Sequence, residues 1–422
     1  MPKSQNIQKV VLPISIISWL LGSGVIEFPV GHPRFVISFL YTLCIITAYG
    51  ASMYYTLIYA SFTYLKNVNN TGEFLFKILY YGNGFLAVTA VVLGWNRRKD
   101  LKKCIQSIGM VDESLQKIGI TKDYDKTFWK EIGGTLGSLL IIVGVTIVNA
   151  YTSILKNAPF HVKIVLVVSA HYPIFLMFVA DIMFLSIVRC MMRKFARLNA
   201  LLKSMSSTTP LSPQYMKLLY HRSGLLKPTI VNGFSKKTND DTHLMKAAKQ
   251  VHLDLVKISR SVNETFGLLV LLSMALASVF ITGLLYYSYT VIYLTTNPGI
   301  DTRPGLISAC CWLFFYVIKI LIVNHMCDRT SAEALRTGNI ICELHEPMTN
   351  KEFRSEIREF LLQLIQNPLK FTAYDFVTLD YTFIQGVVGS ITTYLVILIQ
   401  LGGDISDSSA FSNSTKLNDT TS

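Results

Sequence analysis

The sequence predicts an all-α membrane protein of seven transmembrane helices, with its N-terminus cytosolic, its C-terminus extracellular and a small cytosolic helical anchor region. Three observations lead there. Hydrophobic residues make up 51% of the 422 residues and charged ones only 15%, with a mean hydropathy of +0.42, far from the mix of a soluble domain. The apolar residues fall in blocks long enough to cross about 30 Å of hydrocarbon, which takes about 20 residues of helix. The net charge of +13 sits mostly between those blocks. A basic excess of that size suits nucleic acid or a membrane surface, and the apolar spans decide for membrane lipids.

Seven blocks meet the length requirement: Phe35–Tyr64, Phe74–Trp95, Gly133–Leu155, Val162–Arg189, Phe266–Leu294, Gly305–Asn324 and Tyr381–Leu401. Two long basic segments, Asn96–Glu131 and Cys190–Asn263, and a third of mixed charge, His325–Asp380, separate them. Lys and Arg near spans are retained in the cytosol. A cytosolic N-terminus places Lys3, Lys9 and Arg34 inside, with nine basic residues of the first segment, fourteen from Arg189 to Arg260 and six of the third. Only Lys66, Lys156, Lys163, Arg303 and Lys416 remain outside. Seven crossings then put the C-terminus outside, where the sequons at Asn413 and Asn418, and the one at Asn69, lie on the side that is glycosylated.

Residues 1–34 could be a signal peptide, since Lys3 and Lys9 precede an apolar run and Gly22-Ser23-Gly24. Cleavage would place the most basic segments outside, against the charge bias, and Pro13, Glu27, Pro29 and Pro33 interrupt the run. The stretch is therefore read as a cytosolic or interfacial segment. Residues 35–330 carry the first six helices with the ligand pocket and cytosolic loops, 331–380 the anchor helices, 381–401 the pore-lining seventh helix and 402–422 an extracellular tail.

Within the anchor, Thr349 and Glu352 form a capping box, and Phe353, Ile357, Phe360, Leu361 and Leu364 recur at helical spacing before Pro368. The apolar face of this amphipathic helix needs a partner, either the inner extension of the bundle or a neighbouring subunit. Asp181 in the fourth span and Lys319 in the sixth lie at similar depths, and an unpaired charge there is expensive, so a structural ion pair is favoured over a ligand or ion role. The seven cysteines contain no Cys-x-x-Cys pair, which argues against a disulfide framework or a metal site, and no cofactor motif is present. H-E-x-x-H, a P-loop and G-x-S-x-G are all missing, so the sequence does not read as an enzyme.

The seventh helix is the most informative. Gln385, Gly389, Thr392, Val396 and Gln400 fall on one stripe at 100° per residue, with Tyr394 on another side. Polar side chains inside a membrane face the bundle interior, another helix or water, so the stripe is either a helix-packing face or a water-lined pore.

Here the sequence resembles a known family. Thr393-Tyr394, five hydrophobic residues and Gln400 resemble the C-terminal signature of insect gustatory receptors, Thr-Tyr, five hydrophobics, Gln-Phe, with Leu401 in place of the Phe. Lys194-Phe195-Ala196-Arg197-Leu198-Asn199, His252-x-x-Leu255 running to Asn263, and Glu343-Leu344-His345-Glu346-Pro347 match further family positions. The resemblance covers the C-terminal half in residues and the N-terminal half in topology. It implies a homotetrameric ligand-gated cation channel related to insect odorant receptors, alone or with related receptors, in the plasma membrane of gustatory dendrites. A small tastant would open it to Na, K and Ca. By position, Gln400 and Leu401 would form the gate at the outer end of a pore lined by the seventh helices. Asp404 and Asp407 would ring the outer mouth. The absence of Glu after Tyr394 resembles fructose-type or bitter-type branches more than the main sugar clade.

In that orientation the outer halves of the spans hold polar and aromatic groups of the kind a small-molecule pocket needs. Asn83, His171, Tyr287, Trp312 and Tyr316 are the candidate set, with interfacial or packing aromatics as the plainer alternative. A G-protein-coupled receptor and a small-molecule transporter are the competing functions. The first conflicts with the charge bias, and the second lacks a visible internal repeat.

Overall fold

The computed structural model describes residues 5–27, 32–63, 70–120, 124–152, 159–208, 228–294, 303–344 and 351–418. The elements are α1 (Gln5–Leu20), α2 (Phe35–Thr63), α3 (Asn70–Asn96), α4 (Arg98–Lys117), α5 (Tyr124–Thr152), α6 (Phe160–Thr208), α7 (Pro228–Tyr289, closed by a π turn at Thr290–Leu294), α8 (Arg303–Glu343), α9 (Lys351–Gln366) and α10 (Tyr381–Asn418). A two-stranded antiparallel hairpin, β1 (Thr372–Ala373) and β2 (Val377–Thr378), precedes α10. Six of these helices, α2, α5, α6, α7, α8 and α10, are long and apolar enough to cross a membrane. The expected second span is helical too, as the 27-residue α3.

The three longest helices explain the architecture. α6, α7 and α8 have 49, 62 and 41 residues, so at 1.5 Å per residue each extends well past one bilayer thickness. Their buried positions repeat at alternating spacings of three and four. On α6 these are Phe184, Val188, Met191, Phe195, Leu198, Leu202 and Met205; on α7, Met245, Ala248, His252, Leu255, Ser259, Val262 and Phe266; on α8, Ile320, Val323, Cys327, Thr330, Ala334, Thr337 and Ile341. That is the pattern of a coiled-coil seam. It runs without a break along the three helices, so α8 passes residue 331, the expected start of the anchor, as one helix. The second basic segment, Cys190–Asn263, is helical over its described part, as the end of α6 and the first half of α7.

Polar groups set the register of the seam. Asn199 donates to the Glu333 carbonyl at 2.8 Å and to Glu333 Oε1 at 2.9 Å, and accepts from Thr337 Oγ1 at 2.6 Å. Lys194 pairs with Asp112 of α4, both buried. α4 was not foreseen as a helix. Cys104, Ile108, Val111, Asp112 and Leu115 form its buried face within the first basic segment.

α9 is the expected amphipathic helix, and of its two expected partners it takes the bundle's own extension. Phe353, Ile357 and Phe360 are buried against α7 and α8. Lys249 of α7 holds Glu356 and Glu359 at 2.8 and 2.7 Å. Asn263 clamps the hairpin by donating to Thr372 Oγ1 at 3.0 Å and accepting from Thr372 N at 3.1 Å. Tyr374 and Asp375 turn the hairpin with positive φ, close against Gly267 of α7, where a Cβ would stand 3.1 Å from Tyr374 N.

The N-terminal stretch packs against the spans. After α1 the chain turns among the spans, and three hydroxyls take its backbone carbonyls. Tyr41 donates to Leu20 O at 2.7 Å, Tyr172 to Leu21 O at 2.8 Å and Thr42 to Gly22 O at 3.2 Å. Irregular backbone at membrane depth requires such partners. Gly94 of α3 admits the turn, because a Cβ there would overlap the Ser23 carbonyl.

His252 lies in the seam with its ring between Phe195 and Phe360, at centroid distances of 5.2 and 5.7 Å. Burial pulls its pKa from 6.5 down to about 4, although the bond to the Ala334 carbonyl works the other way. The unfolded chain therefore takes up a proton near pH 6.5 that the folded chain refuses until about 4. Stability should be full above the unfolded value and fall as pH drops between the two, by up to about 1.4 kcal/mol per pH unit. The melting temperature of the detergent-solubilised protein should decline over that window, and His252→Gln should flatten the decline. An unchanged slope in the variant would contradict this.

Candidate ligand pocket and pore helix

α10 begins at a strong cap. Asp380 Oδ1 accepts from the backbone N–H of Thr382 at 2.9 Å and of Phe383 at 3.2 Å, the arrangement of an N-cap. The Thr382 hydroxyl holds the Asp380 carboxyl below its ordinary range. His325 of α8 shares a hydrogen bond of 2.6 Å with the Tyr381 hydroxyl, so the foot of the helix is tied to the seam.

Above its foot α10 packs on one side only. Phe383, Ile384, Val387 and Ile391 rest on the core, whereas Gln385, Gly389, Thr392, Val396 and Gln400 are all exposed. At 100° per residue the stripe lies opposite the packed side. No residue of the span's apolar window is buried, unlike any other span-length helix among the described residues. The hydroxyls of Ser390, Thr392 and Thr393 donate to carbonyls four residues back at 2.9–3.0 Å. A Cβ added at Gly386 or Gly389 would meet nothing within 4 Å. Leu401 is also exposed. Asp404, Asp407, Asn413 and Asn418 fall on the C-terminal continuation of α10, beyond the described side chains, and Asn69 lies outside the described residues.

The five expected pocket residues are partly brought together. The His171 and Trp312 rings lie 5.4 Å apart, Trp312 and Tyr316 5.9 Å, and Tyr316 stacks on Phe280 at 5.0 Å with planes 12° apart. Asn83 and Tyr316 line the same cavity of about 20 Å³, together with Ser273 and Lys319, room for one water. Tyr287 stands apart near the C-terminal end of α7, 37% exposed, with its hydroxyl against Gly305. Two polar residues complete the cluster. Asn149 Nδ2 lies 3.2 Å from His171 Nε2, and Asn149 Oδ1 accepts from Ser308 Oγ at 2.7 Å. Asn149 is a polar residue inside an apolar span, which is the signal that could have found it. Ser308 carried no sequence signal, because a single serine in an apolar run is common.

Lys319 Nζ lies 2.8 Å from Asp181 Oδ2, and Ser273 Oγ donates to both Asp181 oxygens at 3.0 and 3.2 Å. This pair also lines a larger cleft of about 240 Å³ between α5, α6 and α8, with Thr135, Ser138 and Arg189. The Phe178–Phe315 ring pair, 5.6 Å apart, stands between the cleft and the small cavity.

The profile of the 7tm chemosensory receptor family matches residues 11–402. A chain of Drosophila melanogaster assigned to the gustatory receptors as 28b is 20% identical over 364 residues, covering 81% of this chain and 74% of that relative. The gustatory receptor for sugar taste 43a of the same fly is 23% identical over 226 residues, covering 49% of this chain and 52% of that one. Among solved structures, the insect olfactory receptor OR5 from Machilis hrabei in complex with eugenol superposes with a TM-score of 0.61 at 13% identity, covering 94% of this chain and 100% of that one.

Removing one member of a buried ion pair leaves an unpaired charge and costs about 3–5 kcal/mol, whereas replacing both by apolar groups is close to neutral. Lys319→Met alone should therefore sharply reduce the yield of folded receptor and its melting temperature, and Asp181→Leu with Lys319→Met should recover most of both. A double variant no better than the singles would contradict a closed structural pair.

Proposed function

The chain belongs to the 7tm chemosensory receptor family, and from that premise we propose that it is a gustatory receptor acting as a ligand-gated, non-selective cation channel. It is a multi-pass protein of the plasma membrane. The observation that carries the channel reading is the polar stripe of α10, exposed on the side opposite its own bundle. Two glutamine amides facing hydrocarbon would be costly, and four copies arranged around an axis would turn the stripe into the lining of an aqueous path. Val396 rings would form a hydrophobic constriction and Gln400 with Leu401 the outer gate, a combination suited to dewetting. Asp404 and Asp407 would concentrate cations at the mouth by local potential, screened beyond about 8 Å in physiological salt. The orientation with α10 ending outside rests on the charge bias along the sequence.

The tastant site is read as the outer cluster of Asn83, Asn149, His171, Ser308, Trp312 and Tyr316, with Tyr287 toward its entrance. Stacked rings beside a short polar network suit a small molecule carrying both an apolar face and hydroxyls, a sugar such as fructose or a bitter plant compound. The G-protein-coupled and transporter readings have no comparable support.

Current recorded from oocytes without added G protein, over a panel of sugars and bitter compounds, tests both sites. Gln400→Ala should change basal current or gating, and Asp404→Asn with Asp407→Asn should lower inward cation conductance most at low ionic strength. Trp312→Ala should weaken the response to agonist with surface expression near the parent's. Parent-like currents in the first two variants would remove the pore from α10, and loss of expression in the third would assign Trp312 to packing.

A further inference from the structure

We propose that the cavity between α1, the turn that follows it and the first turns of α4 binds a phosphate group presented at the cytosolic side of the membrane. The cavity measures about 210 Å³, and Arg97, Arg98, Lys102, Glu27, Ser18 and Ser23 are among its lining residues. That is the volume of about seven waters, enough for a phosphate ester and too small for a whole nucleotide or drug-sized molecule.

Its charge is unbalanced. Glu27 is committed to Arg98, whose Nε donates to it at 2.8 Å. The hydroxyls of Ser18 and Ser23 hydrogen-bond each other at 2.8 Å. Arg97 is 8% exposed, and its Nη1 has no hydrogen-bond partner among the described residues. Its guanidinium lies 4.6 Å from the centroid of the Phe266 ring, which supplies a π-face and no acceptor. The carboxylate whose charge acts on it, Asp181, is already paired with Lys319. A buried cation with an unfilled donor is expensive to hold, and a phosphate oxygen is the acceptor that a guanidinium fork fits best. α4 starts at this cavity, so the positive end of its dipole adds to the attraction.

The depth suits an anionic headgroup. Arg98 lies over Phe35 at the start of α2, 5.0 Å from its ring centroid, and Arg97 follows directly on α3. In the orientation proposed above this is the inner headgroup level, where phosphoinositides and soluble inositol phosphates present the same chemistry. The site goes beyond the channel reading, and binding in detergent does not depend on orientation.

Binding to the purified full-length receptor should be measured by thermophoresis with two probes, short-chain phosphatidylinositol bisphosphate and inositol trisphosphate. Saturable binding of either supports the site and names its source, the lipid alone or the free phosphate. Arg97→Gln should weaken it about tenfold or more, the loss expected for a charge-assisted hydrogen bond. Because Arg97 is buried and its variant can misfold, the exposed Lys102 gives a second test. Lys102→Glu should weaken binding strongly, while Lys99→Glu, on the same helix but outside the cavity lining, should not. Saturable binding of neither probe, or equal losses from the two lysine variants, overturns the proposal.

Discussion

The three–four repeat of buried positions shared by α6, α7 and α8 is the constraint on which the remaining structure depends. Helices of 49, 62 and 41 residues cannot end at a membrane surface. Beyond the bilayer they remain ordered by closing a seam of Phe, Leu, Met and Val against one another, where burial of each large apolar side chain is worth about 1.5–3 kcal/mol in water. The same helices carry His171, Trp312 and Tyr316 toward one end and the bed for α9, the hairpin and the foot of α10 toward the other. The candidate pocket and the candidate pore are thus attached to one set of continuous rods.

Polar groups at membrane depth are treated in three ways. The carbonyls of Leu20, Leu21 and Gly22 are capped by hydroxyls from α2 and α6. Asp181 and Lys319 neutralise each other with Ser273 as a third partner. The glutamines of α10, in contrast, have no hydrogen bond among the described residues and stand exposed. Since the first two cases satisfy the cost of polar groups in hydrocarbon, the third points to water or to further copies of the chain as the missing surroundings.

Much of this was legible in the sequence. Block length locates the long apolar helices, the apolar spacing places α9, and Asp181 with Lys319 could be paired by residue depth alone; Thr349 of the expected capping box lies outside the described residues. The family-like motifs turn out to be structural where the structure describes them: Phe195, Leu198 and Leu255 are seam residues, Asn199 sets register and Asn263 holds the hairpin. The seam itself was hidden because its repeat includes His252, Ser259, Thr330 and Thr337, which read as polar interruptions until their partners are seen. α4 was hidden by the basic residues around its apolar face, and the turn after α1 by prolines that suggested a surface segment. Arg97 could not be distinguished from its basic neighbours, since burial depends on Gly94 and the Ser23 turn closing over it.

Cysteine accessibility along α10 tests the pore assignment most directly. Single cysteines at Gln400, Val396, Thr392 and Tyr394, in a background lacking the exposed Cys44, Cys310 and Cys342, should be treated from outside with a charged thiol reagent during agonist-evoked current. The pore assignment predicts rapid, agonist-dependent block at 400, slower block at 396 in the constriction and at 392 behind it, and none at 394. Uniform protection of the stripe, or block at 394 alone, would contradict it.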